Sequence, residues 1–158
     1  MTTYFDSSAL VAVYVTERFS PRAREEVRRA GQIPWTGLHE LEVRNTLRLL
    51  CGRRVIDAHA ARLLASHLDE DVDSGRLLRI DVDYPAVCAR SCELAQCYSA
   101  RLLCRSLDIL HVACAHEIGC THFVSGDHRQ LGLARATGMK TLDVTAPLSR
   151  GRQRQKGA

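Results

Sequence analysis

The stretch TYFDSSALVAVYV, residues 3–15, changes character at its fourth residue. Up to Phe5 it is a short β-rich run, Asp6 closes that run, and Ser7 or Ser8 opens the apolar segment Ala9 to Val15, long enough for a few helical turns. Strand, tight turn and helix follow in quick succession, and the succession recurs downstream. Ser20-Pro21 starts a helix, with Pro suited to its first position, and Gly31 stops it; Ile33 to Thr36 reads as a brief strand. Leu38, Leu41, Leu47 and Leu50 keep helical spacing up to Gly52, and Ala61, Leu64, Ala65, Leu68 and Val72 repeat the pattern before Gly75. Leu77 to Ile80 is a third strand, Pro85 begins a helix through about Gln96, and Leu107 to Ile118 is a nearly all-apolar helix, expected to be buried on most sides. Thr121 to Ser125, the turn Gly126-Asp127, a short helix to Ala136 and the strand Lys140 to Val144 complete the pattern. Five short strands alternating with helices imply right-handed crossovers and an α/β fold of three layers, α/β/α, around a central parallel five-stranded sheet.

Composition agrees with one domain. The chain has 158 residues, 46% of them apolar, with 22 basic against 18 acidic side chains, which excludes collagen, a coiled coil and wholesale disorder. The net charge of +4 sits in residues 149–158, where Arg150, Arg152, Arg154 and Lys156 meet no acid. Residues 1–148 are therefore neutral as a body, and the basic tail reads as a disordered end. Seven cysteines, an odd number without a Cys-x-x-Cys pair, argue against a secreted disulfide framework. Most lie in apolar stretches, where a free cysteine behaves as a small buried hydrophobe. His111 and His116 are five apart and do not share a helix face as zinc ligands do. No basic leader precedes Asp6, and Ala9 to Val15 is too short to cross a bilayer, so a cytoplasmic protein without membrane contact is expected.

In an open parallel sheet, ligands bind in the crevice beyond the carboxyl ends of the strands. Asp6 closes the first strand and Asp127 lies two residues past Ser125, after the fourth; in a 3-2-1-4-5 strand order both reach one crevice. Two further acids stand in apolar company: Asp108 at the start of the helix Leu107 to Ile118, and Glu42 between Leu41 and Val43, with Asn45 and Thr46 on its face. Each has an ordinary explanation. Asp6 and Asp127 suit turns and caps, Asp108 suits the first turn of a helix capped by Ser106, and Glu42 suits an exposed position paired with Arg44 or Arg48. Taken together, converging carboxylates raise one another's pKa and call for a divalent cation.

Four segments carry a family resemblance: FDSSAL at the first strand end, ELEVRNTL in the third helix, RSLDILHVACA, and FVSGDHRQL at the fourth strand. In order and content they resemble the motifs of the PIN-domain nucleases, specifically the VapC-type toxins of toxin–antitoxin pairs, over residues from about 3 to 144. The resemblance implies a PIN-like nuclease domain in residues 1–148 and a Mg²⁺- or Mn²⁺-dependent endoribonuclease that hydrolyses RNA phosphodiester bonds with a metal-activated water. Asp6, Glu42, Asp108 and Asp127 would form its acidic pocket. Asp6 and Asp108 are the first choice for direct metal ligands, with Glu42 and Asp127 ligating through water, completing a second site or positioning the attacking water. Ser125 and Asn45 would be auxiliary, and Arg105 and Arg129 would guide the RNA backbone. Glu40 competes with Glu42 for the second motif, and Asn45, three positions on, favours Glu42. The partners implied are an RNA substrate, a cognate antitoxin whose basic side chain would lie among the carboxylates, and a second copy of the chain docked through the early helices.

Other readings fit less well. Asp6-Ser7-Ser8 lacks the second acid of a haloacid-dehalogenase-like site, Lys140 is badly placed for a receiver domain, and no Gly-x-Ser-x-Gly elbow is present. The denser acidic cluster Asp69, Glu70, Asp71 and Asp73 ends an amphipathic helix and reads as a solvated face, neutralised by Arg62 or Arg76. The remaining alternative is a non-catalytic PIN-like module that binds RNA or protein without cutting it.

Overall fold

The computed structural model describes residues 2–146, so the basic tail lies outside the described residues. The elements run β1 (Thr3–Phe5), α1 (Ser7–Tyr14), α2 (Ser20–Ala30), β2 (Ile33–Trp35), α3 (Gly37–Gly52), α4 (Ala58–Asp73), β3 (Leu77–Arg79), α5 (Tyr84–Leu102), α6 (Ser106–Glu117), β4 (His122–Ser125), α7 (His128–Ala136) and β5 (Lys140–Asp143). Every expected strand forms and every pairing is parallel. The expected single five-stranded sheet is corrected: the strands form a three-stranded sheet, β1-β4-β5, and a two-stranded sheet, β2-β3.

The break has a local cause. Ile33 N donates to Arg76 O and Ile80 N donates to Trp35 O, so residues 33 and 35 turn their backbone groups towards β3. Alternation turns Pro34 towards β1, and proline has no N–H to give. On the other side, Asp6 N donates to Val124 O while the Phe5 carbonyl accepts from His39 Nε2 at 2.8 Å. A side chain from α3 thus fills the acceptor that a strand partner would have used.

Strand alternation sends side chains to two cores. Tyr4 and Phe123 point into one, with Val87 and Leu94 of α5, Ile109 and Val112 of α6, and Leu131 and Leu133 of α7. Phe5 and Val124 point into the other, with residues from α1 to α4, Ile33, Trp35 and Leu77. These two cores give the three layers. As expected, α6 is buried over most of its surface, including its polar Asp108 and His111.

Three local expectations change. The helix begun at Pro85 runs to Leu102 because the apolar stripe continues through Leu94, Tyr98 and Leu102. It stops at Leu103, which adopts a left-handed φ of 54° with 72% of its surface exposed, a place where glycine is usual. Only Cys114 and Cys120 are buried; Cys88, Cys92 and Cys97, on α5, are exposed. The cap of α6 is Arg105, not Ser106, with Asp108 accepting from its backbone N–H at 2.8 Å. Among the described residues no helix is long and apolar enough to cross a membrane.

His39 joins α3 to the sheet. Its Nε2–H serves Phe5 O and its Nδ1 accepts from Thr36 N at 3.1 Å, so the neutral ring is fully used. Burial pushes its pKa down from 6.5 to about 3, assisted by His111 and opposed by the Phe5 carbonyl and Glu42. The unfolded chain takes up this proton near pH 6.5 and the folded chain only near 3, so the stability associated with the neutral ring is complete above 6.5 and declines as the pH falls from there. Denaturant midpoints measured from pH 7.5 to 4 should fall in the parent and fall less in His39→Gln; equal slopes would contradict this reading. Phe123, fully buried and stacked on Tyr4 at 5.4 Å, anchors the opposite core, and Phe123→Ala should cost about 3–5 kcal/mol in the same measurement.

Candidate functional site

Asp6 leaves β1 with an extended backbone and caps α1, its Oδ1 accepting from Ala9 N at 2.8 Å. The cap is thus Asp6, and Ser7 is the first helical residue. Ser8 Oγ reaches both carboxylate oxygens at 2.9 Å, and Ser125 Oγ donates to Oδ2 at 2.8 Å. The carboxyl is 2% exposed. Burial raises its pKa, and His111, Ala9 N–H, Ser125 and Ser8 offset only part of that rise.

Asp108 comes from the first turn of α6 and is 7% exposed. Its Oδ2 faces Arg105 N, and its Oδ1 accepts from Gln130 Nε2 at 3.2 Å. Glu42, on α3, is half-buried and accepts from His111 Nε2 through its Oε2. Burial would raise its pKa, but the bond and charge of His111, with help from Ser7 and His39, leave it lowered.

Asp6, Glu42 and Asp108 line one cavity of about 460 Å³ together with Ser8, Thr46, Arg105, His111 and Gln130. Glu40 does not line the cavity and is bonded to Arg44 at 3.1 Å and Arg79 at 2.7 Å. Asp127 does not line the cavity. It caps α7 through Arg129 N and Gln130 N and pairs with the Arg129 guanidinium at 3.2 Å. Burial would raise its pKa, and Arg129 with these backbone donors holds it low. Its link to the site is indirect: Asp127 N donates to Ser125 Oγ, which donates to Asp6, and Gln130, three residues on, holds Asp108.

The proposed substrate arginines separate in the same way, since Arg105 lines the cavity and Arg129 is engaged by Asp127. Asn45 is exposed and outside the lining, where Thr46 stands instead. The acidic cluster on α4 is partly paired, Asp69 with Arg44 at 2.6 Å and Asp71 with Arg76.

Three lining residues escaped the sequence reading. His111 carried one available signal, its position one helical turn after Asp108. Gln130 stands in the same relation to Asp127. Glu17 adds a further carboxylate from the α1–α2 connection, where nothing in its neighbourhood marks it.

Among the described residues no three His, Cys, Asp or Glu side chains stand as a ready-made metal ligand set. The donors facing the cavity are nonetheless hard oxygens, and Mg²⁺ keeps several waters and takes only one or two carboxylates directly. Gln130 Oε1, buried in this wall, has no hydrogen-bond partner among the described residues, and Asp6 is a buried carboxylate held by neutral donors. Both features suit a hydrated hard cation.

No curated protein matches the chain in sequence. Among solved structures it is similar to the DNA-bound VapBC from Salmonella typhimurium, with 13% identity, a TM-score of 0.63, and coverage of 91% of this chain and 98% of that one. It is also similar to FitAcB from Neisseria gonorrhoeae, with 12% identity, a TM-score of 0.63, and coverage of 92% and 100%. At such identities the likeness is one of fold. The PIN domain family model matches residues 3–136, a span that contains Asp6, Glu42, Asp108 and Asp127, and the chain belongs to the PIN-domain family.

Proposed function

We propose that the protein is a metal-dependent endoribonuclease and the toxin of a toxin–antitoxin pair. One observation carries the reading: Asp6, Glu42 and Asp108, from the end of β1, from α3 and from α6, line a single cavity beside Arg105. PIN-domain membership supports nuclease chemistry, and the likeness of fold to VapBC and FitAcB supports an antitoxin partner.

Asp6 and Asp108 would hold Mg²⁺ or Mn²⁺, with Glu42 as a third acidic donor and Asp127 acting through Ser125 or water. When bound, the ion supplies a water of lowered pKa and positive charge for the phosphoryl oxygens. The chain's own residues do the positioning. Ser8, Ser125 and the Ala9 N–H fix the Asp6 carboxylate, and Gln130 with the Arg105 N–H fixes Asp108. Arg105, exposed on the rim, would meet the RNA phosphates. In this reading the protein acts in the cytoplasm, and apolar residues of the early helices join two copies.

A non-catalytic binding module is the second reading, favoured by the lack of a ready-made ligand set among the described residues. Calorimetry with Mn²⁺ separates the two. The parent should give binding heat that Asp108→Asn abolishes, and heat that survives the substitution would favour the binding module.

Cleavage of RNA in Mg²⁺ should fall in Asp6→Asn by more than the ~10–100-fold typical of changes around a metal's outer shell. Its thermal midpoint should be unchanged or higher, because burial already disfavours the ionised carboxyl and asparagine still caps α1. RNA left intact by the parent would overturn the enzyme reading. Co-expression with the adjacent upstream reading frame should yield a tight, inactive complex; recovery of only free, active protein would remove the antitoxin from the account.

A further inference from the structure

Beneath the acids lies a second layer of residues in matching register. Tyr4 stands two positions before Asp6, His39 three before Glu42, and His111 three after Asp108, so each segment that brings a carboxylate also brings a ring. The rings pack together: Tyr4 and His39 centroids are 4.7 Å apart, His39 and His111 5.6 Å, and Tyr4 and His111 5.8 Å. His39 is engaged by Phe5 O and Thr36 N, and the Tyr4 hydroxyl meets His111.

We propose that His111 is a positioning residue: held by Tyr4, its imidazole fixes the Glu42 carboxylate in the cavity through Oε2 and leaves Oε1 for a ligand. The inference deepens the nuclease reading and rests on it. Glu42 has three rotatable side-chain bonds and an open path to water, so a fixed position requires a donor. That donor is His111 Nε2 on a side chain 2% exposed. A carboxylate only accepts, so Nε2 carries the proton. Nδ1 lies 2.9 Å from the Tyr4 hydroxyl, and Tyr4 is fully buried. The Tyr4 hydroxyl holds the ring at Nδ1 and so aims Nε2 at Glu42. Ser7 Oγ, 3.4 Å from Nε2, is a longer second contact. Because Asp108 and His111 share one turn of α6, the same helix sets both carboxylates, and Glu42 on α3 is brought into register with Asp108.

The test joins spectroscopy of the metal-free full chain with a double-substitution cycle. Long-range ¹⁵N–¹H spectra should show a proton on His111 Nε2, and Tyr4→Phe should blur that signal. In Mn²⁺ titrations His111→Leu should weaken binding about 10-fold, within the range for such supports, while His111→Gln, which retains an amide donor, should recover part of the loss. In RNA cleavage kcat should fall with KM unchanged. In a Glu42→Gln background His111→Leu should change Mn²⁺ affinity less than about twofold, because the residue acts through Glu42. A bare Nε2, or Mn²⁺ losses that multiply fully, would overturn the proposal. Should His111→Leu fail to fold, Tyr4→Phe and His111→Gln decide the matter. A parent that binds Mn²⁺ yet cuts no RNA refutes the nuclease reading, and the Nε2 proton and the cycle still decide the role of His111.

Discussion

Carboxylates do not gather in a protein interior without compensation, and this requirement shapes the region around Asp6. Its carboxyl is buried at the end of β1 and receives hydrogen bonds from Ser8, Ser125 and the first turn of α1. Those donors are neutral, and the pKa stays raised. Glu42 is compensated by His111, and Asp127 by Arg129. A cation in the cavity would complete what hydrogen bonds leave undone at Asp6, without removing the bonds that hold its orientation.

The same economy of polar groups explains the divided sheet. Pro34 has no hydrogen to offer β1, and His39 occupies the Phe5 carbonyl on that side. An interrupted ladder admits a side chain from α3, and α3 also carries Glu42. The two sheets therefore share the task of placing the site: β1 and β4 present Asp6 and Ser125, while the helix after β2 leans its polar face against the strand end.

Much of this was legible in the chain itself, because alternating strands and helices leave strong local signals. Thr3 to Phe5, Ile33 to Trp35 and the apolar run of α6 need only periodicity and stop residues. The divided sheet was hidden, since it depends on which neighbour Pro34 faces. The end of α5 was hidden too, because Leu103 takes a left-handed backbone with no glycine to announce it. Among the acids, Asp6 is marked by its place at a strand end and Glu42 and Asp108 by their apolar surroundings, and the structure brings those three to one cavity. Asp127 looked equivalent from sequence, yet its proximity to Arg129 and the α7 amides engages it locally. His111 was passed over because a histidine in a buried apolar helix has an unremarkable explanation until its partners from distant segments, Tyr4 and Glu42, are placed beside it.

The central claim is that this cavity is built for a divalent cation. Crystals of the full chain soaked in Mn²⁺ and measured for anomalous scattering test it directly. The account predicts a peak among Asp6, Glu42 and Asp108, within reach of Gln130. A featureless cavity, with manganese found only on the acidic face of α4 around Asp69 and Glu70, would contradict it.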